Sequence, residues 1–149
     1  MNNEPPPIPI SNQQRTDEDQ LRLLKIFHYV FAGLTLLALA FLVLHYWFMS
    51  TFMMNPEMWE QAGQQGDKIP FSPEQFLSVF RWFYLFMGVV IIAGGVLNWL
   101  SAQYIRDRRN RMFCMVVAGL NCMQIPFGTA LGIFTFIVLA RSSVRELYK

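Results

Sequence analysis

Residues 112–140 read MFCMVVAGLNCMQIPFGTALGIFTFIVLA, and this stretch decides the fold. It contains no charged residue, and as one straight helix it would extend about 43 Å. One membrane span needs about 20 apolar residues and two need about 40, so the stretch is long for one and short for two. In its middle, Pro126 disfavours helix and Gly128 permits a turn. The pattern predicts a hairpin of two short helices, about 110–125 and 128–146, turning at Pro126 and Gly128.

Charge favours this hairpin over the alternative, a single kinked span. The preceding loop contains one acid, Asp107, and four arginines: Arg106, Arg108, Arg109 and Arg111. Short loops rich in lysine and arginine stay on the cytoplasmic side, and the C-terminal tail is also basic. A hairpin keeps both segments on that side, whereas one span would place the tail outside. We therefore expect both the N- and the C-terminus in the cytoplasm. Because the arginines lie close to apolar spans, we expect them near lipid headgroups and expect no nucleic-acid partner.

Two further charge-free runs, 26–49 and 82–105, each exceed the length of a membrane span. Hydrophobic residues make up 54% of the chain and charged residues 15%, whereas a soluble domain carries about 25% charged residues. This composition excludes an ordinary soluble domain. We predict an all-α fold, a small transmembrane helical bundle with four membrane segments, at about 26–49, 79–105, 110–125 and 128–146.

The chain divides into a tail and one predicted domain. Residues 1–15 are proline-rich and polar, which predicts a disordered cytoplasmic tail. The transmembrane domain covers 16–149, with Thr16 as the N-cap of its first helix and an outer loop at 50–72. In that loop, Asn55-Pro56-Glu57 predicts a short helix that stops at Gly63, and Ser72-Pro73-Glu74-Gln75 predicts a capping box.

Two sequence motifs carry a family resemblance. The first is His28-Tyr29-Val30-Phe31-Ala32-Gly33-Leu34, and the second is the run from Pro126-Phe127-Gly128-Thr129 through Leu131-Gly132-Ile133 to Thr135. Together they resemble a group of small, uncharacterised, multi-pass bacterial inner-membrane proteins. The resemblance implies a bacterial source and a location in the inner (plasma) membrane. It implies no activity and no site residues.

One group of side chains suggests a metal site. His45, Met49 and Met53 are spaced four residues apart, so they form one stripe on a helix. Imidazole and thioether groups bind monovalent copper, which suggests an extracytoplasmic copper site. The alternative is that methionines fill gaps between helices beside an interfacial histidine. A haem held by His28 and His45 within one subunit is excluded, because on one helix they lie about 25 Å apart.

Small residues predict close helix packing. Gly128 and Gly132 form a GxxxG pattern at the start of the last helix, which lets two backbones approach closely in lipid. Gly94 and Gly95 in the second run, and Gly119 in the third, offer matching surfaces. The partner is either another helix of this chain or a second chain.

Three uncharged polar residues, Asn98, Asn121 and Gln124, lie deep in the apolar runs. Such groups usually find a partner on a neighbouring helix, and in an oligomer they could instead line a pore. No Asp, Glu, Lys or Arg lies at mid-membrane, where a proton-coupled transporter would have one.

These features predict a protein that is not an enzyme and has no cofactor. No nucleophile–base pair, phosphate-binding loop or HExxH pattern occurs. The leading hypothesis is a scaffold or accessory subunit that binds other membrane subunits or itself within the lipid bilayer. The two alternatives are a copper-handling protein and a small oligomeric channel.

Overall fold

The computed structural model describes residues 12–57 and 72–148, and their regular structure is entirely helical, without strands. The predicted all-α fold is therefore confirmed for these residues. The helices, in chain order, are α1 (Asn12–Met53), α2 (Pro73–Arg106), α3 (Arg111–Asn121), α4 (Phe127–Ala140) and α5 (Ser142–Leu147).

Helices α1 and α2 are long and apolar enough to cross a membrane. Only 6% of the most apolar window of α1 and 0% of that of α2 is buried. The core helix of a soluble protein would be mostly buried, so this exposure favours an apolar surrounding for both helices. Helices α3 and α4, with 11 and 14 residues, are shorter than a full span of about 20 residues.

The capping predictions had different outcomes at the three helix starts. The capping box before α2 is confirmed: the Gln75 N–H donates to Ser72 Oγ at 3.2 Å, and the Ser72 N–H donates to Gln75 Oε1 at 3.3 Å. The Glu57 N–H donates to Asn55 Oδ1, as expected of a helix start, while the predicted end at Gly63 lies outside the described residues.

The prediction of Thr16 as the N-cap of α1 is wrong. Helix α1 already begins at Asn12, and the Thr16 hydroxyl donates to the Asn12 carbonyl one turn back. The glutamines and arginine between these residues are good helix formers, and the Gln13 amide donates to Asp17 across one turn. The helix therefore extends into residues 12–15, which the sequence assigned to the tail.

Residues 112–140 form an antiparallel helical hairpin of α3 and α4. Its first helix ends at Asn121 instead of 125, because Pro126 disfavours helix before it and the Gln124 N–H turns back to the Asn121 carbonyl at 2.9 Å. Its second helix ends at Ala140 instead of 146. There Arg141 takes an extended conformation (φ −63°, ψ 141°), and α5 continues beyond it.

The single transmembrane domain stays a prediction. The described residues divide into two compact units. The first, here called the polar-core unit, combines α1 up to Phe31 with the chain from Leu97 onwards. The second, the two-helix unit, spans Ala32–Val96. The division has a physical cause: the buried apolar core lies wholly in the polar-core unit, and Gly95 is the only buried residue among those described in the two-helix unit.

Candidate functional site

Four polar side chains meet inside the polar-core unit, one from each of its four main helices. They are His28 of α1, Asn98 of α2, Asn121 of α3 and Thr135 of α4, and we call them the histidine cluster. Each side chain is at most 2% exposed. The unit therefore buries polar side chains beside its apolar core, which is costly unless every polar group is bonded.

The cluster is closely hydrogen-bonded. His28 Nδ1 lies 2.9 Å from Asn98 Oδ1, and His28 Nε2 lies 3.2 Å from Thr135 Oγ1. The two amides pair reciprocally: Asn98 Nδ2 donates to Asn121 Oδ1 at 3.0 Å, and Asn121 Nδ2 donates to Asn98 Oδ1 at 2.8 Å. The Thr135 hydroxyl donates to the Leu131 carbonyl at 2.7 Å. Both ring nitrogens and both amides are thus partnered.

Proton counting allows three hydrogen-bonded states of His28. A neutral ring protonated at Nδ1 donates to Asn98 Oδ1 and accepts at Nε2 from the Thr135 hydroxyl, which then turns away from the Leu131 carbonyl. If the hydroxyl donates to Leu131, the ring carries a proton on Nε2. An imidazolium then also donates from Nδ1 to Asn98 Oδ1, whereas a neutral ring accepts at Nδ1 and requires the paired amides of Asn98 and Asn121 to exchange their oxygen and nitrogen positions. The cluster can satisfy either protonation state, but the fully buried ring gives a substrate no access.

The cluster forms because each helix buries one stripe at a spacing of three or four residues. The buried stripes contain apolar or small residues and one cluster member each; they are Leu21, Leu24 and His28 on α1; Asn98, Ser101, Ala102 and Ile105 on α2; Cys114, Val117, Ala118 and Asn121 on α3; and Gly128, Leu131, Gly132, Thr135, Val138 and Leu139 on α4. Packing these stripes together aligns the four polar positions.

A second set of polar contacts ties α1 to the segment after α4. The Arg141 guanidinium donates to Asp17 Oδ1 at 3.2 Å and to Gln20 Oε1 at 2.6 Å. Asp17 is buried, with 1% of its side chain exposed. A hydrogen bond from Ser143 and the Arg141 guanidinium hold the pKa of Asp17 below its usual value, although burial opposes them.

Three of the four arginines predicted near headgroups bond within the chain. Arg106 pairs with Asp107 at 2.8 Å, and Arg108 pairs with Glu18 of α1 at 3.2 Å. Arg111 donates from Nε to the Leu139 carbonyl at 2.7 Å, which joins the open end of the hairpin. The predicted headgroup role of these arginines and of Arg109 stays a prediction. The contacts of Arg108 and Arg111 join helices, whereas that of Arg106 is with its sequence neighbour.

The GxxxG glycines pack within the chain. A Cβ at Gly132 would overlap the Ala118 carbonyl and the Cys122 sulfur, and one at Gly128 would overlap the Asn121 carbonyl. The close approach that the sequence predicts is thus between α3 and α4 of one molecule.

The other small-residue positions differ from one another. Gly95 faces Thr35 of α1, and a Cβ there would overlap the Thr35 side chain. Gly119 has room, since a Cβ would meet only Phe136, at 3.9 Å. Gly94 is half-buried on α2.

The residues of the copper hypothesis lie in the two-helix unit. His45 Nδ1 is hydrogen-bonded to the Tyr84 hydroxyl. Met49 and Met53 line a cavity of about 110 Å³ with Phe76, Phe80 and Tyr84, which His45 does not line. Among the described residues, no group of three or more His, Cys, Asp or Glu side chains is placed to hold a metal ion.

Sequence reasoning singled out Asn98 and Asn121 but missed what they bind. The structure pairs these amides with each other instead of placing them on an outer surface, and it leaves Gln124 exposed at the hairpin turn. Apart from their places in the two resemblance motifs, His28 was considered only as a haem ligand, and no role was predicted for Thr135. The available signal was that both are polar residues inside charge-free runs, where a polar group needs a partner.

The chain was also compared with known proteins. No protein-family model, curated protein or solved structure matches it.

Proposed function

We propose that this chain is a non-enzymatic, multi-pass membrane protein that acts as a scaffold or accessory subunit in a membrane complex or homo-oligomer. The histidine cluster carries this proposal. Its side chains are hydrogen-bonded to one another and buried. They therefore hold helices together and leave no reactive group open to a substrate. The outward surface of α1 and α2 is dominated by large apolar side chains, which suits lipid or another membrane helix.

The proposed topology has two full spans and an inserted hairpin. Helices α1 and α2 cross the bilayer, and the α3–α4 hairpin enters from the cytoplasmic side and returns there. At 1.5 Å per residue, α3 and α4 extend about 16 and 21 Å, less than the roughly 30 Å hydrocarbon core. Within the turn, the N–H groups of Cys122, Met123 and Gln124 are bonded to carbonyls, as apolar surroundings require.

With this topology both termini lie in the cytoplasm. The bacterial inner membrane, as part of the proposal, is what the resemblance of the two sequence motifs implies. A green fluorescent protein fused to the C-terminus should fluoresce, and an alkaline phosphatase fused there should be inactive. The reverse pattern would contradict the hairpin and support a single kinked span.

A partner of the proposed subunit would contact large apolar side chains. The GxxxG glycines are occupied inside the hairpin, so they do not remain for a second chain. The exposed apolar residues of α1 and α2 offer the remaining surface; they include Leu36, Leu37, Phe41, Trp47, Trp82 and Phe86.

The test is purification from the native membrane in a mild detergent at endogenous expression, with mass and metal content measured on the same sample. A stoichiometric partner or a defined homo-oligomer without metal would support the scaffold proposal. A monomer that co-purifies with nothing would contradict it.

Copper handling is the second candidate, favoured by the single cavity that Met49 and Met53 share. One copper per chain in the purified protein, lost in a Met49→Leu/Met53→Leu variant, would support it. Copper content near zero after loading with cuprous ion would exclude it.

A further inference from the structure

A second feature of the two-helix unit is an apolar groove between α1 and α2. It has a volume of about 430 Å³, within the range of small-molecule sites. Its α1 wall consists of Leu39, Leu42, Val43 and Tyr46, and its α2 wall consists of Arg81, Tyr84, Leu85, Gly88, Val89 and Ile92. We propose that this groove binds one anionic phospholipid, with an acyl chain between the helices and the phosphate at Arg81.

The groove has one polar end. The two helices run antiparallel here, because Gly88 faces Leu42 and the Tyr84 ring packs edge-on against Tyr46 at 5.2 Å. Arg81 therefore lies at the same end as the two tyrosines, and Ile92 lies at the other end with Leu39. A lipid has the same distribution, with a charged phosphate at one end and a hydrocarbon chain below it.

The length of the groove matches one membrane leaflet. From Arg81 to Ile92, α2 rises about 16 Å, which is half of the roughly 30 Å hydrocarbon core. Apart from Arg81 and the two tyrosines at its polar end, the residues that line the groove are apolar. One acyl chain seated along it would end near the bilayer midplane.

Arg81 supplies the charge complementarity. Its guanidinium can donate two parallel hydrogen bonds to phosphate oxygens, and the exposed side chain can reach the interface from its helix. Within residues 12–57 and 72–148, no carboxylate lies within ion-pair distance of Arg81, in contrast to Arg106, Arg108 and Arg141. An anionic headgroup would give this charge the partner that the described carboxylates do not supply.

Gly88 forms the floor of the groove. A Cβ there would meet Leu42 at 3.6 Å, an ordinary contact, so the position accepts a small side chain without strain. A larger side chain would project into the space of the acyl chain. This gives a variant that blocks the groove without removing the charge.

The proposal rests on the membrane insertion in the proposed function, but not on the scaffold role. The full chain would be inserted into vesicles of equal parts phosphatidylcholine and phosphatidylglycerol and then extracted in mild detergent. Native mass spectrometry would measure the mass of the chain together with the lipids that it retains. We expect one retained phosphatidylglycerol per chain. Arg81→Gln should lower the ratio of retained phosphatidylglycerol to phosphatidylcholine about tenfold, and Arg81→Lys should lower it less.

Gly88→Leu should reduce the retention of both lipids. Two matched controls should leave retention unchanged: Arg22→Gln removes an exposed arginine elsewhere on α1, and Gly33→Leu adds the same side chain where nothing lies within 4 Å. Equal retention of the two lipids by the wild type, or equal losses in the controls, would overturn the proposal. A chain that fails to insert into vesicles would overturn membrane insertion as well, and a partner found by purification would leave the lipid result unaffected.

Discussion

The polar-core unit and the two-helix unit differ in the burial of their apolar side chains: the first buries them in a core, and the second leaves most of them exposed. In the polar-core unit, the helices bury an apolar core and, beside it, the histidine cluster, and an ion pair joins Asp17 to Arg141. In the two-helix unit, α1 and α2 touch through small residues such as Gly95 and Gly88 and through tyrosines, and their large apolar side chains stay exposed.

The difference shows where each unit finds its stability. In an apolar solvent, hydrophobic burial does not distinguish one helix packing from another, so polar bonds and close backbone contacts must do so. The polar-core unit has both. The described residues of the two-helix unit have few of either, and their large apolar side chains stay exposed.

Removing the histidine at the centre of the cluster should have the largest effect. His28→Ala leaves a cavity and removes the partner of both Asn98 and Thr135, which should lower the free energy of unfolding by about 3–4 kcal/mol. His45→Ala removes a half-buried ring with one hydrogen-bond partner and should lower the free energy of unfolding by about 1 kcal/mol. Thermal unfolding of both variants in mild detergent would measure the difference. Equal losses would remove the contrast between the two units.

Replacing a glycine by alanine should change the stability in opposite directions in the two units. Gly132→Ala places a Cβ against the Ala118 backbone and should destabilise the protein by about 1–3 kcal/mol. Gly33→Ala meets open space and should stabilise it by up to about 1 kcal/mol, through helix propensity alone. Unfolding in the same detergent would show opposite signs if α3 and α4 pack as described.

The ion pair that fastens α1 to Arg141 should be sensitive to acid. Because the folded-state pKa of Asp17 is lowered, its stabilising effect is present above the ordinary value of 3.8 and is lost as the pH falls through the folded-state pKa. Asp17→Asn should cost about 1–2 kcal/mol at neutral pH, and this difference should shrink below about pH 4. The exposed Asp19→Asn is the control, with stability unchanged to within about 0.5 kcal/mol. A pH-independent difference between wild type and Asp17→Asn would contradict the ion-pair account.

The reciprocal amide pair should show the smallest effect, and it needs a double-mutant cycle to be seen. Asn98→Leu and Asn121→Leu should couple by about 1 kcal/mol, as membrane hydrogen bonds do. The same cycle with Asn98→Leu and Thr51→Ala, an exposed residue on α1, should give a coupling near zero. A coupling near zero for the amide pair would show that the two side chains act independently.

Local signals were enough to predict part of this structure. The capping box at Ser72 and Gln75 depends on four adjacent residues, and the hairpin depends on the proline within a charge-free run, so both follow from short-range rules. The end of α4, just before Arg141, does not follow from short-range rules. That arginine bonds to Asp17 and Gln20, more than a hundred residues earlier in the chain.

Short-range rules could not predict the histidine cluster. His28 bonds to side chains 70 and 107 positions away, so its role depends on how four helices align. The sequence could show that Asn98 and Asn121 needed partners, but not that they were partners of each other. The same limit explains why the GxxxG glycines were predicted to pack but could not be assigned to one chain or two.

If the histidine cluster holds the polar-core unit closed, it should protect the buried thiol of Cys114 from chemical labelling. This thiol is fully buried in the same core, while Cys122 is partly exposed. The rate at which a membrane-permeant maleimide labels Cys114 in the intact protein, located by mass spectrometry, measures the opening of that core. The account predicts slow labelling in the wild type and in His45→Ala, and labelling faster by about a hundredfold in His28→Ala. Equal Cys114 rates in all three proteins would contradict it.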